Sequence, residues 1–102
     1  MDRIADRWSG MVIIALSGGS LRFAELRAIL SGVSEKMLTQ TLRGMERDGL
    51  VVRHDHTTWP RRVDYTLTEL GRSLVEPLTT VCAWSDKHLD DVKAARERYD
   101  NA

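Results

Sequence analysis

Apolar residues recur every three or four positions through the first half of the chain, switch to every second position after residue 50, and return to helical spacing after residue 68. Ile4, Trp8, Met11, Val12, Ala15 and Leu16 share one face and predict an amphipathic helix over about 4–17, ended by Gly18 and Gly19. Leu21 to Phe23 reads as a short extended segment. Phe23 to Leu30 reads as a second helix with Phe23, Leu26, Ile29 and Leu30 inward, and Ser31 and Gly32 bend the chain. Ser34 stands where an N-cap is needed, since its hydroxyl accepts from a free amide of the next turn. Val33 before it and Leu38 after it are spaced as a hydrophobic staple. In the third helix Leu38, Leu42 and Met45 form the buried stripe, leaving Lys36, Thr39, Gln40 and Arg43 on the other face, and Gly49 is the stop.

The period of two then marks strands at Leu50 to His56 and Arg62 to Leu67, with Val63, Tyr65 and Leu67 alternating against Arg62, Asp64 and Thr66. Between them Thr57, Thr58, Trp59, Pro60 and Arg61 form a loop, with Trp59 as the hairpin's packing anchor. Thr68 caps a C-terminal helix over about 68–99, which Pro77 must kink or restart; Leu78, Val81, Trp84, Leu89 and Val92 give it an apolar face. The expected fold is mainly α with a small β-hairpin (α+β): a winged helix-turn-helix with flanking helices.

A chain of 102 residues makes one domain, 1–102, with a modest core that many small regulators complete by dimerising. At 42% apolar and 29% charged residues the composition is globular. The net charge is zero, so the global balance does not announce a nucleic-acid partner, but its distribution is uneven. Ser34 to Arg62 holds six Lys or Arg against four Asp or Glu, plus His54 and His56; Val63 to Ala102 holds five against eight. The N-terminal stretch shows no positive region followed by a long apolar segment and MVIIAL is too short to span a bilayer, so no membrane association and a cytoplasmic location are expected. The single cysteine, Cys82, excludes an internal disulfide framework and a thiolate zinc cluster.

The order helix, bend, polar-faced helix, basic hairpin points to double-stranded DNA. The third helix would lie in the major groove, with Arg43 suited to guanine and Gln40 to adenine, while Thr57, Thr58, Arg61 and Arg62 reach phosphates or the minor groove. The bland reading of Lys36 and Arg43 is a solvated helix face. His54 and His56 alternate onto one side of a strand as a metal-binding pair would, but no third ligand accompanies them, and no metal or cofactor is expected; His88 is expected at the surface. Cys82 reads as a buried, inert thiol, because no cationic residue flanks it as a reactive thiolate requires. Trp8 and Trp84 suggest either cross-packing in a dimer core or a flat hydrophobic effector stacked between them. No nucleophile elbow, paired-carboxylate motif, phosphate-cradling glycine loop or Cys/His dyad is present, so the chain is not read as an enzyme.

The segments W-x-x-x-x-I-x-x-L, RFAELRAILSGVSEKMLTQTLRGMERDGLV and P-x-x-V-D-Y-x-LTELGRSL together resemble the HxlR-type winged helix-turn-helix regulators of bacteria, over roughly Trp8 to Trp84. The resemblance implies a homodimeric transcription factor, most simply a repressor at a palindromic operator. The N-terminal and C-terminal helices would form the dimer interface, including Trp8, Met11, Val81, Cys82 and Trp84. It implies DNA-facing positions at Ser34, Lys36, Thr39, Gln40 and Arg43, with Arg61 and Arg62 on the wing. Many members of that family sense oxidants or electrophiles through a cysteine just before the first helix. This sequence begins too late to contain that residue and Cys82 stands elsewhere, which shifts the expectation from a redox signal toward a small-molecule effector. The competing reading, favoured by the zero net charge, is a winged-helix protein-interaction module without DNA-binding activity.

Overall fold

Apolar stripes on three helices meet at one place, and a small sheet closes the core they make. In a computed structural model that describes residues 7–57 and 59–102, α1 (Arg7–Leu16) contributes Val12, Ile13 and Leu16, α2 (Phe23–Ile29) contributes Leu26, and α3 (Glu35–Arg47) contributes Leu38, Leu42 and Met45. Leu30 and Val33 from the bend, with Leu50, Val51 and Leu67 from the hairpin, complete the buried cluster. Ile4, expected on the first helix, lies outside the described residues. Ile29, expected inward, is 55% exposed. At about 100° per residue Phe23, Leu26 and Leu30 fall within one arc of about 60°, and Ile29 lies about 60° beyond its edge.

Both ends of α3 are fixed by local chemistry. Ser34 Oγ accepts a hydrogen bond from the Met37 amide at 3.0 Å, and Val33 and Leu38 are both buried, as a staple requires. At the other end Gly49 has φ +77°, its amide donates to the Glu46 carbonyl (3.1 Å), and the Leu50 amide donates to the Met45 carbonyl (2.9 Å). That pair of bonds is a Schellman stop, which turns the chain directly into a strand.

The sheet has three antiparallel strands in the order β1 (Leu21–Arg22), β3 (Arg62–Leu67), β2 (Val51–His56). The extended segment after the first helix is therefore the third member of the wing's sheet, pairing Leu21 with Tyr65 and Arg22 with Asp64. In the hairpin proper Val51 pairs with Leu67, Arg53 with Tyr65 and His56 with Arg62.

The expected C-terminal helix is two helices. Thr68 Oγ1 accepts from the Gly71 amide (3.0 Å) to cap α4 (Glu69–Arg72), and donates to the Gly49 carbonyl at 2.6 Å. The Thr68 amide donates to the Leu50 carbonyl (3.0 Å), so one threonine ties the end of α3 to the start of α4. After Ser73 and Leu74 the chain restarts as α5 (Val75–Asp100), with Pro77 in its first turn, where a missing amide breaks no helical bond. Gly71 packs so tightly on the start of β2 that a Cβ there would stand 2.1 Å from the Leu50 carbonyl oxygen.

α5 has 26 residues and none is buried. A straight helix of that length runs about 39 Å. The chain accordingly measures 61 × 26 × 23 Å with a radius of gyration of 16.4 Å, against about 13 Å for a compact chain of similar length. Val81, Trp84 and Leu89 are 60%, 57% and 47% exposed. Cys82, expected to be buried, is exposed, because the outer part of α5 has nothing from its own chain against it.

Candidate nucleic-acid interface

With Leu38, Leu42 and Met45 turned into the core, the helical period leaves Lys36, Gln40 and Arg43 exposed on α3 and Thr39 half-buried between that face and the sheet. Among the described residues Lys36 and Arg43 form no ion pair, so their charges face solvent without a partner. Ser34 spends its hydroxyl on the cap and lies exposed at the helix start, beside the free amides of the first turn. The positive end of the helix and the exposed cations therefore lie on one continuous surface.

The wing differs from the sequence reading in three ways. First, its arginines are engaged. Arg61 donates from Nε and Nη2 to the two carboxylate oxygens of Asp55, and Arg62 Nε donates to Asp64 Oδ1 at 3.2 Å. The bond from Arg61 holds the Asp55 carboxyl below its ordinary range and raises Arg61 in turn, although both groups are solvent-exposed. Any phosphate that Arg61 or Arg62 takes must exchange with a carboxylate. Second, Trp59 is 93% exposed and anchors nothing. It stands in the hairpin connection, beyond the last paired residues His56 and Arg62. Thr57 is exposed and Thr58 lies outside the described residues.

Third, Asp64 points into a covered site instead of solvent and is 6% exposed. β3 is the central strand, with Arg22 and His54 opposite Asp64 on its two sides, and the Asp64 carboxylate is held by Arg62 and His56, polar side chains that hydropathy alternation does not register. His56 Nε2 donates to Asp64 Oδ2 at 2.9 Å, which requires the proton on that nitrogen. Burial pushes the Asp64 carboxyl up, but the bonds from Arg62 and His56 outweigh it and leave the carboxyl below its ordinary value of 3.8. A depressed folded value means the stabilisation is fully present above pH 3.8 and is lost as pH falls through the lower, folded value. Urea midpoints measured from pH 6 down to pH 2 are thus expected to fall less in Asp64→Asn than in the parent, below about pH 4. Equal acid sensitivity in the two proteins would remove Asp64 from the account.

His54 is exposed and His56 is committed to Asp64, and among the described residues no group of three or more His, Cys, Asp or Glu is arranged to hold a metal ion. Trp8 and Met11 are half-buried against the core, with the Arg7 guanidinium 5.2 Å from the Trp8 ring centroid. The Trp84 ring lies 4.8 Å from that of His88, which also contacts Asp91 at 3.3 Å.

Sequence reasoning missed Arg53, Glu46 and Tyr65. They join Thr39 and Arg43 around a concavity of about 430 Å³ between α3 and the wing. The signal was available only through the register, because Arg53 meets the helix by standing across from Tyr65.

A profile described as HxlR-like helix-turn-helix matches residues 3–93, nearly the whole chain. The chain belongs to the HxlR-like helix-turn-helix family. This HxlR-like chain is 36% identical over 97 residues to the HTH-type transcriptional regulator YtfH of Escherichia coli, a match that spans 95% of the chain and 77% of that protein. Its fold superimposes on the structure of YtfH from Salmonella typhimurium with a TM-score of 0.85 and 36% identity, covering 94% of this chain and 86% of that one. It is equally similar in fold to the redox regulator HypR in its reduced form, with a TM-score of 0.85 at 33% identity over 91% of this chain and 92% of that one. The HxlR-like chain is a helix-turn-helix transcriptional regulator and not an enzyme. Among the described residues no helix is long and apolar enough to cross a membrane.

Proposed function

We propose that this protein is a homodimeric, sequence-specific repressor whose α3 lies in the major groove of a palindromic operator. The observation that carries the reading is the cluster of exposed Lys36 and Arg43, which form no ion pair among the described residues, with Gln40 on a helix whose opposite face is buried. A side chain on such a helix is held in place by the core behind it, which is what base reading requires. Ser34, Lys36, Thr39, Gln40 and Arg43 are the proposed contacts on the helix, and Thr57, Thr58, Arg61 and Arg62 those on the wing.

Residues 1–102 form one domain in this reading, and the helices over about 4–17 and 68–99 form the dimer interface. The exposed Val81, Trp84 and Leu89 on a helix without buried residues support it, because an amphipathic face of that length gains stability by covering its apolar side. Replacing Val81 and Trp84 together with glutamate is expected to convert a dimer to a monomer in sedimentation velocity while the helical circular dichroism persists. A parent protein that sediments as a monomer would contradict the dimer.

A flat hydrophobic compound lodged near Trp8, Met11, Val81, Cys82 and Trp84 would release the operator by favouring one arrangement of the two α5 helices. Its coupling to DNA must be the same in both directions. HypR is a redox regulator, and an oxidant acting at Cys82 is the alternative signal. The operator-binding mode is tested by hydroxyl-radical footprinting: two protected half-sites about 34 Å apart are expected, and a single protected stretch would contradict two-fold binding.

A further inference from the structure

Two arginines from different elements turn onto one concavity. Arg43 stands one helical turn after Thr39 on α3, Arg53 stands on β2 across from Tyr65, and these four residues with Glu46 line about 430 Å³ of space between helix and wing. Arg43 forms no ion pair among the described residues. Arg53 has the Asp55 carboxylate only at 3.9 Å, and that carboxylate is already held by Arg61 through two bonds. The site therefore offers two incompletely neutralised guanidinium groups together with the Thr39 hydroxyl and the Tyr65 phenol. Such a set of donors suits an oxyanion that presents several acceptor oxygens at once. Glu46 is its one acidic wall, and it forms no ion pair with either arginine.

The position of this space narrows the choice of anion. A helix in the major groove and a hairpin at the neighbouring minor groove must be separated by the sugar–phosphate strand that divides the grooves. The concavity lies between those two elements. We propose that the Arg43–Arg53 concavity seats a single backbone phosphodiester of the operator, which makes Arg53 and Tyr65 DNA contacts and assigns Arg43 to the backbone instead of guanine. Base reading then rests on Lys36 and Gln40, nearer the start of α3. The proposal deepens the DNA-binding reading of α3 and rests on it.

A phosphate contact adds about 0.9 to the slope of log affinity against log salt. Arg43→Gln and Arg53→Gln are each expected to lower the slope by about 0.9 and to weaken operator and unrelated duplex by the same factor. The double variant is expected to lose about 0.9 in total, not about 1.8, because the two side chains share one phosphate. Arg53→Lys keeps the charge and is expected to keep the slope, and Glu46→Gln is expected to tighten binding to both duplexes. Unchanged thermal melting of each variant, followed by circular dichroism, separates lost contacts from lost fold. If the parent binds with salt-sensitive affinity and Arg53→Gln leaves the slope unaltered, the seat is wrong and the DNA reading stands. A double variant that loses two increments overturns the shared phosphate, and a loss at Arg43 confined to one base pair returns that residue to base reading. A parent that binds neither duplex overturns the DNA reading and the seat together.

Discussion

Gly71→Ala is expected to destabilise the domain by about 2 kcal/mol or more, within the range of overpacked sites, and to lower its thermal midpoint by roughly 8–16 °C. The added methyl would stand 2.1 Å from the Leu50 carbonyl oxygen and 3.1 Å from both the Leu50 carbonyl carbon and Leu67 Cδ2. A flexible side chain could move aside, but the Leu50 backbone cannot. Its amide is bonded to Met45 and its carbonyl to the Thr68 amide, so a shift there strains the end of α3 and the start of the wing together. Gly18→Ala is the control, since a Cβ at Gly18 meets nothing within 4 Å. Calorimetry of the two variants should give a large drop for Gly71→Ala and little change for Gly18→Ala. Equal midpoints would show that the α4–β2 contact does not constrain the fold.

Replacing Lys36 and Arg43 together with glutamine should weaken operator binding roughly 30-fold or more, taking the lost base contact of Lys36 and the lost phosphate contact of Arg43 at about 1 kcal/mol each at least. Both side chains are exposed on α3 and form no ion pair among the described residues, so the substitutions remove charge without disturbing the core behind them. Fluorescence anisotropy with a labelled operator reads the effect directly. Affinity unchanged in the double variant would mean that the exposed face of α3 does not meet DNA.

The parts of the fold governed by local chemistry were legible before the structure. Ser34 and Gly49 each serve a nearby backbone group and Val33 and Leu38 form a staple across the first turn, so their roles follow from neighbours in the chain. The buried stripe of Leu38, Leu42 and Met45 followed from helical spacing, and with it the exposed face that became the candidate interface. What escaped depended on distant neighbours. Asp64 is buried under His56 and Arg62 because β3 is central, which alternation along one strand cannot reveal. Trp59, before Pro60, reads as the packing anchor of the hairpin, whereas in the hairpin connection it is left exposed. Arg61 and Arg62 were recognised as basic wing residues, but their carboxylate partners depend on the register of the hairpin. Arg53 needed that same register to come into view beside Arg43.

Cys82 and Ile29 show two further limits. Ile29 belongs to a helix of only 7 residues, too short for spacing alone to place the edge of a buried stripe. The absence of a flanking cation and the place of Cys82 on an expected interface helix point to a buried thiol, but within one chain the neighbouring Val81 and Trp84 are exposed and Cys82 with them.

Operator binding is tested most directly by a salt series of anisotropy titrations with duplex DNA from the region upstream of the protein's own gene, beside an unrelated duplex of equal length. Tighter binding to the upstream duplex is expected, with a log affinity that falls linearly with log salt for both, as several seated phosphates require. Absence of binding to either duplex at low salt would contradict it.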